Sequence, residues 1–496
     1  MSSPTQRRAS PKLSPPAGSR SPSRGRSSSR KKRTSSRGKA SSRSRSTNRK
    51  SSTDRKPSTD RKSREAKDGK KQTAPQDKHK KICETCKTEK MEYGGVFGVI
   101  FLIFFLPFTV YFINLACGRQ RCTLTAMPKI PGFWCFFDRQ AALIFFGWLA
   151  FQVILFMLPI GHYYCGKPLR SGDRLPYRCN GFHALLISMA AFALAVRFDV
   201  PLTIVYDKYY QILTTAFLFS VFLSIVLYIR SRYVDNASLS PAGNTGNVIY
   251  DFFVGHELNP RINNFDLKFF FEMRPGLIGW VMINFIFVLK AYQDTGTYPV
   301  SLLLVTMFQT IYVADAFFFE SSVLTTMDIM CDGFGYMLAF GDLVWVPFLY
   351  CLQTRYLLDH PTELTWYTMC GIAALNYIGY YIFRSSNTEK NLFQKNPYDP
   401  RLSHYETIPT ASGKKLLVSG WWGMVRKPNY LGDLCMALAW SLPCGLNALT
   451  YFYPVYFLIL LVHRERRDSK ESQKKYGSSW DRYCQRVKYR IFPCFY

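Results

Sequence analysis

Hydrophobic and polar positions along this chain fall into two regimes that meet near residue 90. Through residue 81 apolar side chains are almost absent, and beyond it predominantly apolar runs recur to about residue 463. The first run, GVFGVIFLIFFLPFTVYFINLA at 95–116, holds 22 residues without a charge, and a helix needs about 20 apolar residues to cross a bilayer core. Further runs lie near 141–160, 181–196, 211–229, 277–294, 298–318, 333–352, 365–383, 430–447 and 449–463. The pattern predicts an all-α polytopic membrane protein of about ten transmembrane helices, the last two close enough for a re-entrant hairpin. Because the first run follows a long polar segment, it reads as a membrane helix rather than a signal peptide.

Charge divides the chain at the same place. Residues 1–81 hold 27 Lys/Arg against 5 Asp/Glu, which is 22 of the chain's 31 net positive charges. This Ser/Arg-rich tail, with STDRK at 52–56 and again at 58–62, buries too little to offset the entropy of ordering and is expected to be disordered. Its cations suit DNA or chromatin through counterion release. No aromatic residue interleaves them, so base-specific recognition is not expected. A solubilising or anionic-lipid-binding tail is the alternative. An SR-directed kinase would add roughly −1.5 to −2 charges per serine and oppose binding. In the linker 82–94, Cys83 and Cys86 have metal-ligand spacing, but a zinc site takes about four ligands and no second pair is near; acylation is the other reading. The domain 95–496 follows. Basic segments at 167–178, 229–232 and 463–475 fall on the tail's side if ten spans are right, which puts both termini on the nucleoplasmic or cytoplasmic side. Cys117, Cys122 and Cys135 then occupy the first lumenal loop, where a disulfide would leave one cysteine over.

Polar groups inside or beside the apolar runs exceed what an anchor needs. They include NPR at 259–261, Tyr312, Asp315, Glu320, DIMCDGFGYMLAFGDLVWVP at 328–347, Lys390 and LLVSGWWGMVRKPNYLGDL at 416–434. Ionisable groups at membrane depth are costly and usually line a cavity. Headgroup anchoring accounts for part of the set, but it does not require Asn429 and Asp433 beside Arg426 and Lys427.

YDFFVGHELNPR (250–261), TTMDIMCDGFGYMLAFGDLVWVPF (325–348), LLVSGWWGMVRKPNYLGDL and LLVHRERRDSKESQKKYGSSWDRYCQRVKYRIFP (460–493) resemble the sterol C14-reductase family, collinearly over roughly residues 90–496. The resemblance implies a ten-helix reductase with NADPH held by its C-terminal half, about 384–496. The family's cofactor positions fall on Lys390, Leu417, Trp422, Asn429, Tyr430, Asp468, the run Ser472, Gln473, Lys474, Lys475 and Tyr476, and Tyr483, with Arg467 as a nearby cation. Cations suit the cofactor's phosphates, and Asn429 and Asp468 can bond ribose or amide. No G-x-G-x-x-G fingerprint indicates a Rossmann domain. Where relatives often place arginine four residues after the lysine, this chain has Gln394 and then Lys395, which lacks the planar fork.

The chemistry implied is protonation of a sterol C14 double bond followed by hydride addition. Tyr312, matching a tyrosine of the family's sterol pocket, is the expected acid, supported by Asp315 or Glu320, and aromatic faces would stabilise the cation. Flavin and metal are not called for. A Ser/Arg tail on this domain is the arrangement of the family's inner-nuclear-membrane members, implying lamin and chromatin partners at the nuclear inner membrane and endoplasmic reticulum. Their usual Tudor domain is not matched in residues 1–81, and recognition of modified histone tails is not carried over. Homo-oligomer formation is left open. Two competing readings are a tether with an inactive reductase domain and a membrane methyltransferase acting on isoprenylated cysteine, which shares the R-x-P-x-Y-x-G pattern but not DGFGYMLAFGDLVWVP.

Overall fold

The first apolar run folds as one helix in the computed structural model, which describes residues 87–496 apart from Glu89, Ala126, Arg170, Ser171 and Ser412. The basic tail and the Cys83/Cys86 pair lie outside the described residues. The principal helices are α1 (Gly95–Ala116), α2 (Arg139–Met157), α3 (Gly181–Arg197), α4 (Tyr209–Ser231), α5 (Pro275–Thr295), α6 (Val300–Phe318), α7 (Trp366–Lys395), α8 (Pro428–Ser441), α9 (Phe452–Tyr476) and α10 (Ser478–Arg486), with a broken helical span Tyr336–Asp359 between α6 and α7. Among the described residues six helices are long and apolar enough to cross a membrane: α1, α2 extended back to Phe133, α4, α5 extended back to Leu267, α6 and Tyr336–Asp359.

The other four expected crossings are helical but of a different kind. α3 has 17 residues and α8 only 14. α7 starts apolar and continues into RSSNTEKNLFQK, and α9 runs on past residue 463 through HRERRDSKESQKK. At 463 hydrophobicity ends while the helix does not, because Glu, Lys, Arg and Gln are good helix formers in water.

Breaks in the apolar helices have local causes. Pro275 cannot donate to the preceding turn, so the short helix Leu267–Met273 stops and α5 starts with proline in its first turn. Within Tyr336–Asp359 the turn Gly341–Trp345 is π-helical and is followed by Pro347. Several polar groups buried between helices pair across them, which offsets part of their desolvation. Arg355 donates to Asn114 Oδ1 at 2.7 Å and to the Tyr210 hydroxyl at 2.8 Å, and Asn284 donates to Gln309 Oε1 at 2.7 Å. α7 and α8 approach closely because each presents a glycine: a Cβ on Gly432 would lie 2.5 Å from the Gly379 carbonyl oxygen and 2.6 Å from the Phe383 nitrogen.

Among the described residues three antiparallel hairpins join helices: β1 (His162–Cys165) with β2 (Pro176–Cys179), β3 (Arg261–Ile262) with β4 (Phe265–Asp266), and β5 (Thr407–Pro409) with β6 (Lys415–Leu417). His162 faces Cys179, Arg261 faces Asp266 and Thr407 faces Leu417. Directly after α1, Cys117 and Cys122 form a disulfide, and Cys135 is free and exposed.

Candidate functional site

Tyr312 and Asp315 stand three residues apart on α6, a spacing that puts both on one face. Tyr312 packs against Trp440 of α8 with ring centroids 5.2 Å apart, against Phe383 of α7 at 6.3 Å and against Trp280 of α5 at 6.5 Å. The indole N–H groups are engaged elsewhere: Trp280 donates to Gln309 at 3.0 Å and Trp440 to Asn376 at 3.1 Å. What the rings offer Tyr312 is therefore apolar surface and π-faces. Its hydroxyl lies beside the Asp433 carboxyl of α8. Asp315 turns to α7, where it accepts from Tyr380 at 2.9 Å and pairs with Arg384.

One helical turn before Asp433, α8 carries the second half of the site. Asn429 and Asp433 are at i and i+4 and share a face; the Oδ1 atom of each is buried without a hydrogen-bond partner among the described residues. Beside them Lys427 pairs with Asp468 of α9, and the Tyr430 hydroxyl reaches Asp468 at 3.5 Å. Against the upward push of burial, Lys427 and Arg464 hold Asp468 below the usual carboxylate range. Lys390 of α7 lies 4.2 Å over the Trp422 ring, whose N–H donates to the Ser386 carbonyl at 2.9 Å. Burial first, then the charges of Lys427 and Lys167, push Lys390 down to about 7. Leu417 of β6 packs with Phe393 and Trp422, and the buried Tyr483 of α10 donates to the Trp422 carbonyl at 3.4 Å. The result is a half-buried basic recess with two flat rings, joined through one face of α8 to Tyr312. Among the described residues no group of three or more His, Cys, Asp or Glu could hold a metal ion.

A family model described as the ergosterol biosynthesis ERG4/ERG24 family matches residues 74–496. The chain belongs to that family. It is 52% identical over 406 residues to a Gallus gallus protein named Delta(14)-sterol reductase LBR, a match covering 81% of this chain and 64% of that protein's length. It is 48% identical over 408 residues to Delta(14)-sterol reductase TM7SF2 of Mus musculus, covering 82% and 98% of the two chains. To Delta(14)-sterol reductase erg24 of Schizosaccharomyces pombe it is 42% identical over 426 residues, covering 83% and 99%. The methyltransferase reading gives way to this ERG4/ERG24 match.

Of the residues expected from sequence, the fold of this ERG4/ERG24 chain gathers Lys390, Leu417, Trp422, Asn429, Tyr430, Asp468 and Tyr483 around the recess, and places Tyr312 one helix face away. Others have different partners. Glu320 is buried against Arg274 at 2.6 Å and accepts from the Gly181 nitrogen at 2.8 Å, which ties the end of α6 to the start of α3. Arg467 pairs with Asp332 at 2.8 Å and Glu92 at 2.6 Å. Ser472, Gln473, Lys474, Lys475 and Tyr476 form the last turns of α9; Gln473 donates to Asp481 at 3.3 Å and Lys475 lies 5.1 Å over the Tyr476 ring. Gln394 and Lys395 are exposed at the end of α7. Arg426, named above beside Asn429 and Asp433, donates to the carbonyls of Cys484, Val487 and Lys488, capping α10. Sequence reasoning missed Lys167 and the placement of Asp433 beside Tyr312. Lys167 was visible only as part of a basic loop, and Asp433 only as an acid inside an apolar run.

Proposed function

We propose that this chain reduces the C14 double bond of sterol intermediates with NADPH. The names of its relatives support the reaction class. The observation that carries it is that one face of α8 links the basic recess, through Asn429, to Tyr312, through Asp433. The donor set fits NADPH: Lys390 and Lys427 are free to meet phosphate once Asp468 releases Lys427, the orphaned Asn429 oxygen can accept from an amide or hydroxyl, and Trp422 and Tyr430 supply flat faces. When bound, NADPH supplies the hydride.

Tyr312 delivers the proton. Its O–H bond breaks as the proton adds to C15, leaving a phenolate, and the positive charge at C14 forms among Trp280, Phe383 and Trp440, whose ring faces attract cations. Water-free packing strengthens that attraction and protects the cation from capture. Arg384 and Tyr380 fix Asp315 at the edge of this chamber, where it positions α7. Ten membrane crossings, with both termini on the nucleoplasmic or cytoplasmic side of the nuclear inner membrane and endoplasmic reticulum, complete the proposal. On that side the tail 1–81 would tether chromatin and lamin under control of an SR-directed kinase. Expression in cells lacking C14-reductase activity tests the enzyme: restoration of normal sterols is expected, and persistent Δ14-sterols with correctly inserted protein would leave only the tether.

A further inference from the structure

Each reduction in this reading takes one proton from Tyr312, and the phenolate left among Trp280, Phe383 and Trp440 must regain it before the next turnover. Two carboxylates come near that hydroxyl. Asp315 has both oxygens engaged, one by Tyr380 and one by Arg384. Asp433 lies beside the hydroxyl and keeps its Oδ1 buried without a partner among the described residues. The remaining charged or titratable groups that act on Asp433 come from its own helix, Tyr430, and from α9, Tyr453 and Arg464. Arg464 is itself held by Asp328 at 2.9 Å. One turn back on the same face, the Oδ1 of Asn429 is also buried and unpartnered, beside the Lys427–Asp468 pair that borders the basic recess. These two oxygens, one turn apart on one face of α8, suit a polar route between Tyr312 and the recess.

We infer that Asp433 returns a proton to Tyr312 after each turnover and draws it from the aqueous side past Asn429. The inference rests on the C14-reduction reading above. The O–H bond of the Asp433 acid breaks as the Tyr312 O–H bond re-forms, and the Asp433 carboxylate then takes a proton from a hydronium ion at the recess. That is the one proton each reduction consumes. Asp433 acts through Tyr312 and is a positioning residue.

In Asp433→Asn, a single turnover of preloaded protein should run near the unmutated rate, because Tyr312 still carries its proton. Steady-state kcat should fall by about 10²–10⁴-fold, the range for losing an acid–base group, with kcat/KM for the sterol unchanged because the first turnover is unaffected, and with partial recovery in Asp433→Glu. A normal steady-state kcat, or equal loss in the first and later turnovers, overturns the relay. A second measurement needs neither sterol nor NADPH: infrared spectra of the unmutated protein should contain the carbonyl stretch of a buried carboxylic acid that shifts in D₂O and is missing from Asp433→Asn. A variant that keeps the whole band overturns the relay. If Asp433→Asn does not fold, displacement of the band in Asp433→Glu decides by the same criterion. Presence of the Asp433 band in a protein that never reduces Δ14-sterols would sustain the relay and reject the substrate.

Discussion

Lys390 owes its chemistry to its neighbours. Burial and the like charges of Lys427 and Lys167 hold it near 7, so it loses its charge as pH rises through neutrality. An anion binds the charged form, and NADPH affinity should therefore weaken as pH rises through 7. Charged hydrogen bonds contribute about 1.5–3 kcal/mol, so Lys390→Gln should lower affinity by about ten- to a hundredfold and flatten the pH dependence; fluorescence titration of the dinucleotide at several pH values checks both. Tyr312→Phe preserves the ring contacts with Trp440 and Phe383 and removes only the hydroxyl. Sterol and NADPH should still bind while turnover drops by about 10²–10⁴-fold, and near-normal turnover in membranes would take Tyr312 out of the mechanism. The resemblance of LLVSGWWGMVRKPNYLGDL implied cofactor positions, and the fold sets Trp422 against Lys390 and Tyr430 against Asp468. Spacing could not reveal that Arg426 caps α10, or that Glu320 belongs to Arg274. Both depend on partners 58 or more residues and 46 residues away, and hydropathy carries no information about such pairings.

Helices show the same division. Apolar length alone located α1, α4 and α6, because crossing a bilayer sets a minimum run of apolar residues. It misjudged α8 and α9, where Pro428 opens a helix two residues before the apolar run and polar helix formers prolong α9 past it. The α7/α8 crossing is set by Gly379 and Gly432, which composition does not distinguish from the other glycines. A leucine at 432 would meet backbone, which cannot step aside. Gly432→Leu should destabilise the domain by about 1–3 kcal/mol, the usual cost of overpacking, and should weaken NADPH binding by displacing Asn429. Thermal unfolding in detergent and dinucleotide titration read the two effects, and an unchanged midpoint would mean the helices can separate at no cost.

At the scale of the whole chain, the tail and the membrane domain answer to different physics. The 22 excess positive charges of residues 1–81 should bind duplex DNA with little sequence preference and lose affinity steeply with salt. Filter binding of the isolated tail at low and physiological salt tests this, and affinity indifferent to salt would refute counterion release. Phosphorylation by an SR-directed kinase should weaken the same binding. In the domain, α1 connects two ends with opposite character. Glu92, just before it, pairs with Arg467, one residue from Asp468 and the recess. Its far end, 22 residues or about 33 Å along, carries the Cys117–Cys122 bond, next to the α8–α9 connection that Asn447 ties to Cys122 at 2.7 Å. Disulfides persist in oxidising compartments and reduced thiols in the cytosol, so the proposed orientation would make α1 a ruler with one tip in each redox pool. In sealed microsomes an impermeant maleimide should label the exposed Cys494 at once and reach the exposed Cys135 only after detergent. The opposite order would turn the molecule over and place the recess away from the cell's supply of reducing equivalents.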